Sequence, residues 1–120
     1  MAGFRLTGPA EHDIAESLDW SETTFGYAAR RRYETLIATA LSDIALNWRC
    51  RGSVARDDLG MGLRVFHLRH RRRRVAKGAG LVRSPRHLLV YRASISDTVI
   101  VLRVLHDSMD LARHLDAPPH

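Results

Sequence analysis

Between Asp58 and Asp97 the chain carries no acidic residue, yet Arg64, Arg69, Arg71, Arg72, Arg73, Arg74, Lys77, Arg83, Arg86 and Arg92 all fall there. The arginine fork matches phosphate and carboxylate oxygens two at a time, so uncompensated charge at this density is a footprint for a polyanion or an acidic protein surface. The run Arg71 to Arg74 lies between two strand-like stretches and reads either as a solvated loop or as a loop that docks a partner. Histidines are the other chemistry-bearing group. His67-x-x-His70 has a spacing that binds metal on a helix, but it straddles a strand end with no carboxylate or cysteine close by, so neither a metal nor another cofactor is expected. His106 closes the most apolar strand beside Asp107, where a structural histidine fixing the sheet-to-helix corner is favoured over a catalytic one.

The elements that position these groups must come from a short chain. Its 120 residues allow one compact domain spanning 1–120. A content of 45% hydrophobic and 27% charged residues excludes a disordered polar chain. Lys+Arg of 19 against Asp+Glu of 13 gives +6, and Lys77 is the only lysine. This balance favours nucleic acid, an acidic protein segment or an acidic patch on a target enzyme. Cys50 stands alone, which excludes an intrachain disulfide and a four-cysteine zinc site and fits a reducing cytosol. The stretch Met1 to Asp13 lacks a basic flank followed by an apolar run, and no window approaches the ~20 apolar residues of a membrane span. A cytoplasmic protein is expected.

Phe4 to Thr7 is a short β-compatible run that stops at Gly8-Pro9, a pair suited to the first turn of a helix. Ala10, Ile14 and Leu18 then recur at helical spacing, with Glu11, Asp13, Glu16 and Asp19 on other faces. Phe25-Gly26 should end or sharply turn this helix. A longer helix follows, with Tyr33, Leu36, Ile37, Ala40, Leu41, Ile44 and Trp48 as its apolar stripe. The joint is short, so the two helices should form an antiparallel hairpin, with Trp20 and Trp48 packed in the core. Residues 49–62 have no period and read as a loop. Strands are then predicted over Leu63 to Arg69, Leu88 to Tyr91 and Val99 to Leu105, and a closing helix over Ser108 to Leu115, capped by Ser108 or Asp110 and stopped by Pro118-Pro119. The expected fold is α+β: an N-terminal strand, a helical hairpin on one face of an antiparallel sheet, and a short C-terminal helix.

Five short pieces in this order carry a resemblance: Thr7-x-x-Ala10-x-x-Asp13-Ile14, Phe25-Gly26, Gly62-Leu63-Arg64, Leu89-Val90-Tyr91-Arg92 and Arg103-Val104-Leu105-His106-Asp107. Together they cover nearly the whole chain, which resembles ParE-type toxins of the RelE/ParE toxin–antitoxin superfamily. The segment from His70 to Arg86 departs from that pattern, being longer and more basic. The resemblance implies a toxin neutralised by an antitoxin of the ParD kind in a hetero-oligomer, and DNA gyrase as the target. Acidic side chains of such an antitoxin would meet Arg64, Arg92 and Arg71 to Arg74. Arg103, His106 and Arg113 belong to the C-terminal segment where the resemblance is closest, and join them as partner-binding candidates.

The RelE-like toxins of the same superfamily cleave messenger RNA on the ribosome, using the ribose 2′-hydroxyl as nucleophile. That reaction needs a base, an acid and cations to hold the phosphate. Arg64, Arg92, Arg103 and His106, with His67 and His87, are the residues able to supply them. The C-terminal tyrosine frequent in those ribonucleases is missing, since Tyr27, Tyr33 and Tyr91 are the only tyrosines. Gyrase inhibition without catalysis is therefore favoured over ribonuclease activity. A plain nucleic-acid-binding module ranks last, because it leaves the ParE-like ending unexplained.

Overall fold

A computed structural model describes residues 3–71, 82 and 84–115. β1 (Gly3–Leu6) leads directly into α1 (Gly8–Phe25), and Gly26 alone joins α1 to α2 (Tyr27–Leu46). β2 (Ser53–Ala55), β3 (Arg64–His67), a 3₁₀ turn (Leu68–His70), β4 (His87–Ala93), β5 (Thr98–His106) and α3 (Leu111–Leu115) follow. The expected Pro118-Pro119 stop lies outside the described residues.

Local chemistry explains the hairpin. Thr7 is the N-cap of α1, its Oγ1 accepting from the Ala10 N–H at 3.2 Å, and Pro9 sits in the first turn, where no N–H is needed. The same hydroxyl donates to the Leu102 carbonyl at 2.9 Å, and the Thr7 N–H donates to Val101 at 3.1 Å, so the start of α1 is fastened to β5. Gly26 stands at φ 99°, a conformation strained for any residue with a Cβ, and its N–H reaches Glu22 at 2.8 Å to end α1.

The apolar stripe of α2, from Tyr33 through Ile44, is buried against Phe66, Leu89, Tyr91, Val99, Val101 and Val104. Trp20 and Trp48 are partly buried and pack on that same core, as expected. The reverse face of the sheet has its own cluster, Leu63, Leu88, Val90 and Leu105, covered by Leu59 and by Leu111 and Leu115 of α3. Asp110 caps α3 by accepting the Arg113 N–H at 3.3 Å, while Ser108 is engaged elsewhere.

The sheet runs β1-β5-β4-β3-β2, and here the expectation of an antiparallel sheet is corrected. β1 and β5 are parallel, with Phe4 opposite Val99 and Leu6 opposite Val101, so the sheet is mixed. The cause is β2, which pairs antiparallel with β3 inside the stretch read as a loop. Every connection in this fold reverses the chain, and one extra strand changes the direction in which β5 runs relative to β1. The strand expected through Arg69 also ends earlier, because buried Leu68 enters the core from a 3₁₀ turn.

β1 stops opposite Val101, which leaves the rest of β5 without a strand neighbour on that side. A register shift places Val90 opposite Arg103 and Tyr91 opposite Val101, so Leu102 is the extra residue of a bulge. Asp13 of α1 covers the open edge beyond it. Its carboxylate accepts the Val104 N–H at 2.9 Å and both Nε and Nη2 of Arg103, at 2.6 and 3.0 Å. The sequence pattern puts Asp13 on a solvent face of α1, but it is only 8% exposed and shares the inward face with Ala10 and Ser17. Replacing Asp13 by Ala strands a backbone donor and a guanidinium, and should lower the unfolding free energy by about 3 kcal/mol. Asp13→Asn, which keeps an acceptor for Val104, should lose less; urea unfolding followed by tryptophan fluorescence measures both.

Candidate functional site

Histidines and one carboxylate converge where β3, β4 and β5 end under the helices. His87 faces His106 across the β4–β5 pair, with ring centroids 5.2 Å apart. Trp20, descending from α1, meets both rings edge-on at 5.4 and 6.0 Å. From α2, the Tyr33 hydroxyl accepts the Arg86 N–H at 3.0 Å and shares a hydrogen bond with His87 Nδ1 at 2.7 Å. Burial, helped by the neighbouring His106, lowers the His87 pKa to about 4, so this imidazole is neutral at pH 7. Burial likewise raises the Tyr33 hydroxyl to about 12.

Asp107 ties the strand ends together. His67 Nδ1 accepts the Arg69 N–H at 3.1 Å, which leaves the proton on Nε2 for Asp107 Oδ2 at 2.9 Å. Arg86 Nε reaches the other carboxylate oxygen at 3.0 Å. Desolvation opposes the charged form of Asp107, but the hydrogen bonds from His67 and Arg86 outweigh it and hold the carboxyl below its usual range. His106 Nδ1 accepts the Ser108 N–H at 3.1 Å and lies 2.7 Å from Ser108 Oγ, which shapes the turn from β5 toward α3. A hollow of about 310 Å³ beside it is lined by Asp13, Glu16, Trp20, His87, His106 and Met109 among others. Among the described residues no group of three or more His, Cys, Asp or Glu side chains is placed to hold a metal ion.

The arginines singled out from sequence go to separate places. Arg103 is held by Asp13. Arg64 donates to Ser53 Oγ at 2.8 Å and lies 5.6 Å from the Trp48 ring, three residues along β3 from His67, roughly 10 Å at strand spacing. Arg71 forms an ion pair with Asp43 and covers the Phe66 ring at 4.9 Å, so its position is that of an anchor between α2 and the 3₁₀ turn. Arg72, Arg73 and Arg74, with Lys77 and Arg83, lie outside the described residues. Arg92 and Arg113 are exposed. Arg64, Arg92, Arg103 and His106 thus do not meet at one point. Tyr33, Trp20, Asp13 and Arg86 are the residues of this region that sequence reasoning did not assign to it; Ala10, Asp13 and Ser17 on one helix face was the available signal, obscured by their polarity.

A helical hairpin over a five-stranded mixed sheet, with a polar cluster locked at the strand ends, defines a small α+β protein of the RelE/ParE kind. The family model for the ParE toxin of type II toxin–antitoxin systems, parDE, matches residues 4–111. That is nearly the whole chain, which therefore belongs to the ParE toxin family. No match is found among curated proteins. No helix among the described residues is long and apolar enough to cross a membrane.

His87 generates a pH prediction. The unfolded chain takes up its proton near the ordinary value of 6.5 and the folded protein only near 4, so the unfolded state binds more protons in between. Stability should therefore fall as pH drops through that window, by roughly 3 kcal/mol at about 1.36 kcal/mol per pH unit. Asp107, whose carboxyl is also held low, adds a loss of the same sign at lower pH. In His87→Gln the slope between pH 6.5 and 4 should flatten, read from urea midpoints at each pH.

Proposed function

We propose that this ParE-family toxin acts in the cytoplasm by binding DNA gyrase, and that a ParD-like antitoxin neutralises it by covering its helical and strand surfaces. Membership of the family supplies the toxin class and an antitoxin partner. The observation that favours inhibition by binding over RNA cleavage is the internal neutralisation of the groups a ribonuclease would need. Asp13 occupies Arg103, Asp107 occupies Arg86 and His67, and His87 is buried and neutral. Among the described residues, no base, acid and phosphate-holding cation share one open site. Among the partner-binding candidates within the described residues, Arg92 and Arg113 are exposed cations suited to an acidic partner.

The reading is tested by inducing the chain alone in a bacterial host while following viability, the DNA-damage response and messenger RNA integrity. Growth arrest with DNA damage and intact message is expected, together with rescue by the antitoxin gene. Arrest with message cut on ribosomes would replace this reading with the ribonuclease one.

A further inference from the structure

A hollow of about 340 Å³ opens near the hairpin joint, between the two helices and the segment that precedes β4. Trp20, Ser21, Phe25, Ala29, Arg32 and Tyr33 form most of its wall. Its floor is aromatic: Trp20 meets Phe25 at 5.8 Å and Tyr33 at 6.1 Å, both edge to face. The Tyr33 hydroxyl is committed to His87 and Arg86, so only its ring remains to face an occupant. Phe25 is 67% exposed and Tyr27, across Gly26, is 62% exposed, a large apolar surface for so short a turn.

Two polar groups in this wall have no partner among the described residues. Arg30 is bound by Asp19 and Glu22, and Arg31 by Glu34, whereas Arg32 has no hydrogen bond or ion pair among the described residues. Ser21 is 2% exposed, and its hydroxyl has no hydrogen-bond partner among the described residues. A guanidinium without a counter-charge at the edge of an aromatic hollow selects a carboxylate beside an apolar group, and the overall charge of +6 favours an acidic partner further.

We propose that this hollow docks an acidic segment of the antitoxin, which inserts one aromatic or branched aliphatic side chain among Trp20, Phe25 and Tyr33 and sets a neighbouring carboxylate on Arg32. The choice of partner rests on the reading of the chain as an antitoxin-neutralised toxin; the chemistry of the hollow does not. Ser21 supplies a hydrogen bond to the inserted segment.

Two experiments separate these dependencies. In the first, the full chain is titrated with 3-phenylpropionate and, in parallel, with phenethylamine, which has a similar ring and the opposite charge. The Trp20 indole N–H resonance should shift saturably with the carboxylate at millimolar concentration and at least tenfold more weakly with the amine, and Arg32→Gln should abolish the difference. No saturable shift, or equal binding of the two probes, would overturn the chemistry assigned to the hollow. In the second, the affinity of the full-length antitoxin encoded beside the gene is measured for the unaltered chain, Arg32→Glu and Ala29→Trp. Each variant should lose at least tenfold while the circular dichroism spectrum and urea midpoint stay unchanged; Arg32→Glu, at a partly exposed position, serves if Ala29→Trp does not fold. Unchanged affinity in the folded variants would sink the docking site and leave the toxin reading standing. An unaltered chain that neither arrests growth nor binds that antitoxin would sink the toxin reading and with it the choice of partner. A dimer of this chain that Ala29→Trp dissolves would reassign the hollow to a second copy.

Discussion

The carboxylate of Asp13 holds together two parts of the molecule that no backbone pairing joins. β1 ends at Leu6, so the far half of β5 faces α1 with an open edge, and Asp13 accepts both its Val104 N–H and the side chain of Arg103. A nearly buried carboxylate is tolerated only when paired and hydrogen-bonded, and here both conditions are met by consecutive residues of one strand. With Thr7 fastened to Val101 and Leu102, α1 is fixed to β5 at two points about two turns apart. That attachment sets where Trp20 lies, because it follows Asp13 by seven residues and so returns to the same helix face.

From Trp20 outward, position turns into electrostatics. Its ring walls off His87 and His106 from one side, Tyr33 closes another, and the resulting burial keeps His87 neutral. With His87 neutral, the edge-to-face contact of its ring with His106 places no second charge beside that ring. Asp107 then gathers His67 from β3 and Arg86 from the approach to β4, so the ends of adjacent strands share one anion. This arrangement uses the chemical groups of a potential catalytic centre as structural fasteners. It leaves Arg92, Arg113 and the aromatic hollow at the hairpin joint on the outside of the described structure.

Sheet topology also decides where the arginines lie. The three-residue strand β2 puts β5 parallel to β1 and carries Ser53 to Arg64 and to the Tyr91 hydroxyl. Arg64 is thereby drawn toward Trp48 at one end of the sheet, while the histidines occupy the other. Arg71, although it opens the four-arginine run, is drawn back by Asp43 of α2.

What the sequence determined by itself was whatever depends on neighbours along the chain. Thr7 and Pro9 start a helix, Gly26 turns it, Tyr33 to Ile44 repeat at helical spacing, and Val99 to Leu105 are too β-branched and apolar to be anything but a central strand; all are local preferences of backbone and side chain. The ordered pieces from Thr7 to Asp107 were enough to place the family. Tertiary structure decided the rest, because it depends on partners distant in the chain. Ser53-Val54-Ala55 has no strand signature and becomes one only because β3 offers a ladder. Asp13 reads as a solvent-facing acid until an unpaired edge 91 residues away supplies its donor. Three histidines, an aspartate and an arginine scattered from His67 to Asp107 become one cluster only when antiparallel pairing brings the strand ends together, and no spacing rule along the sequence encodes that meeting.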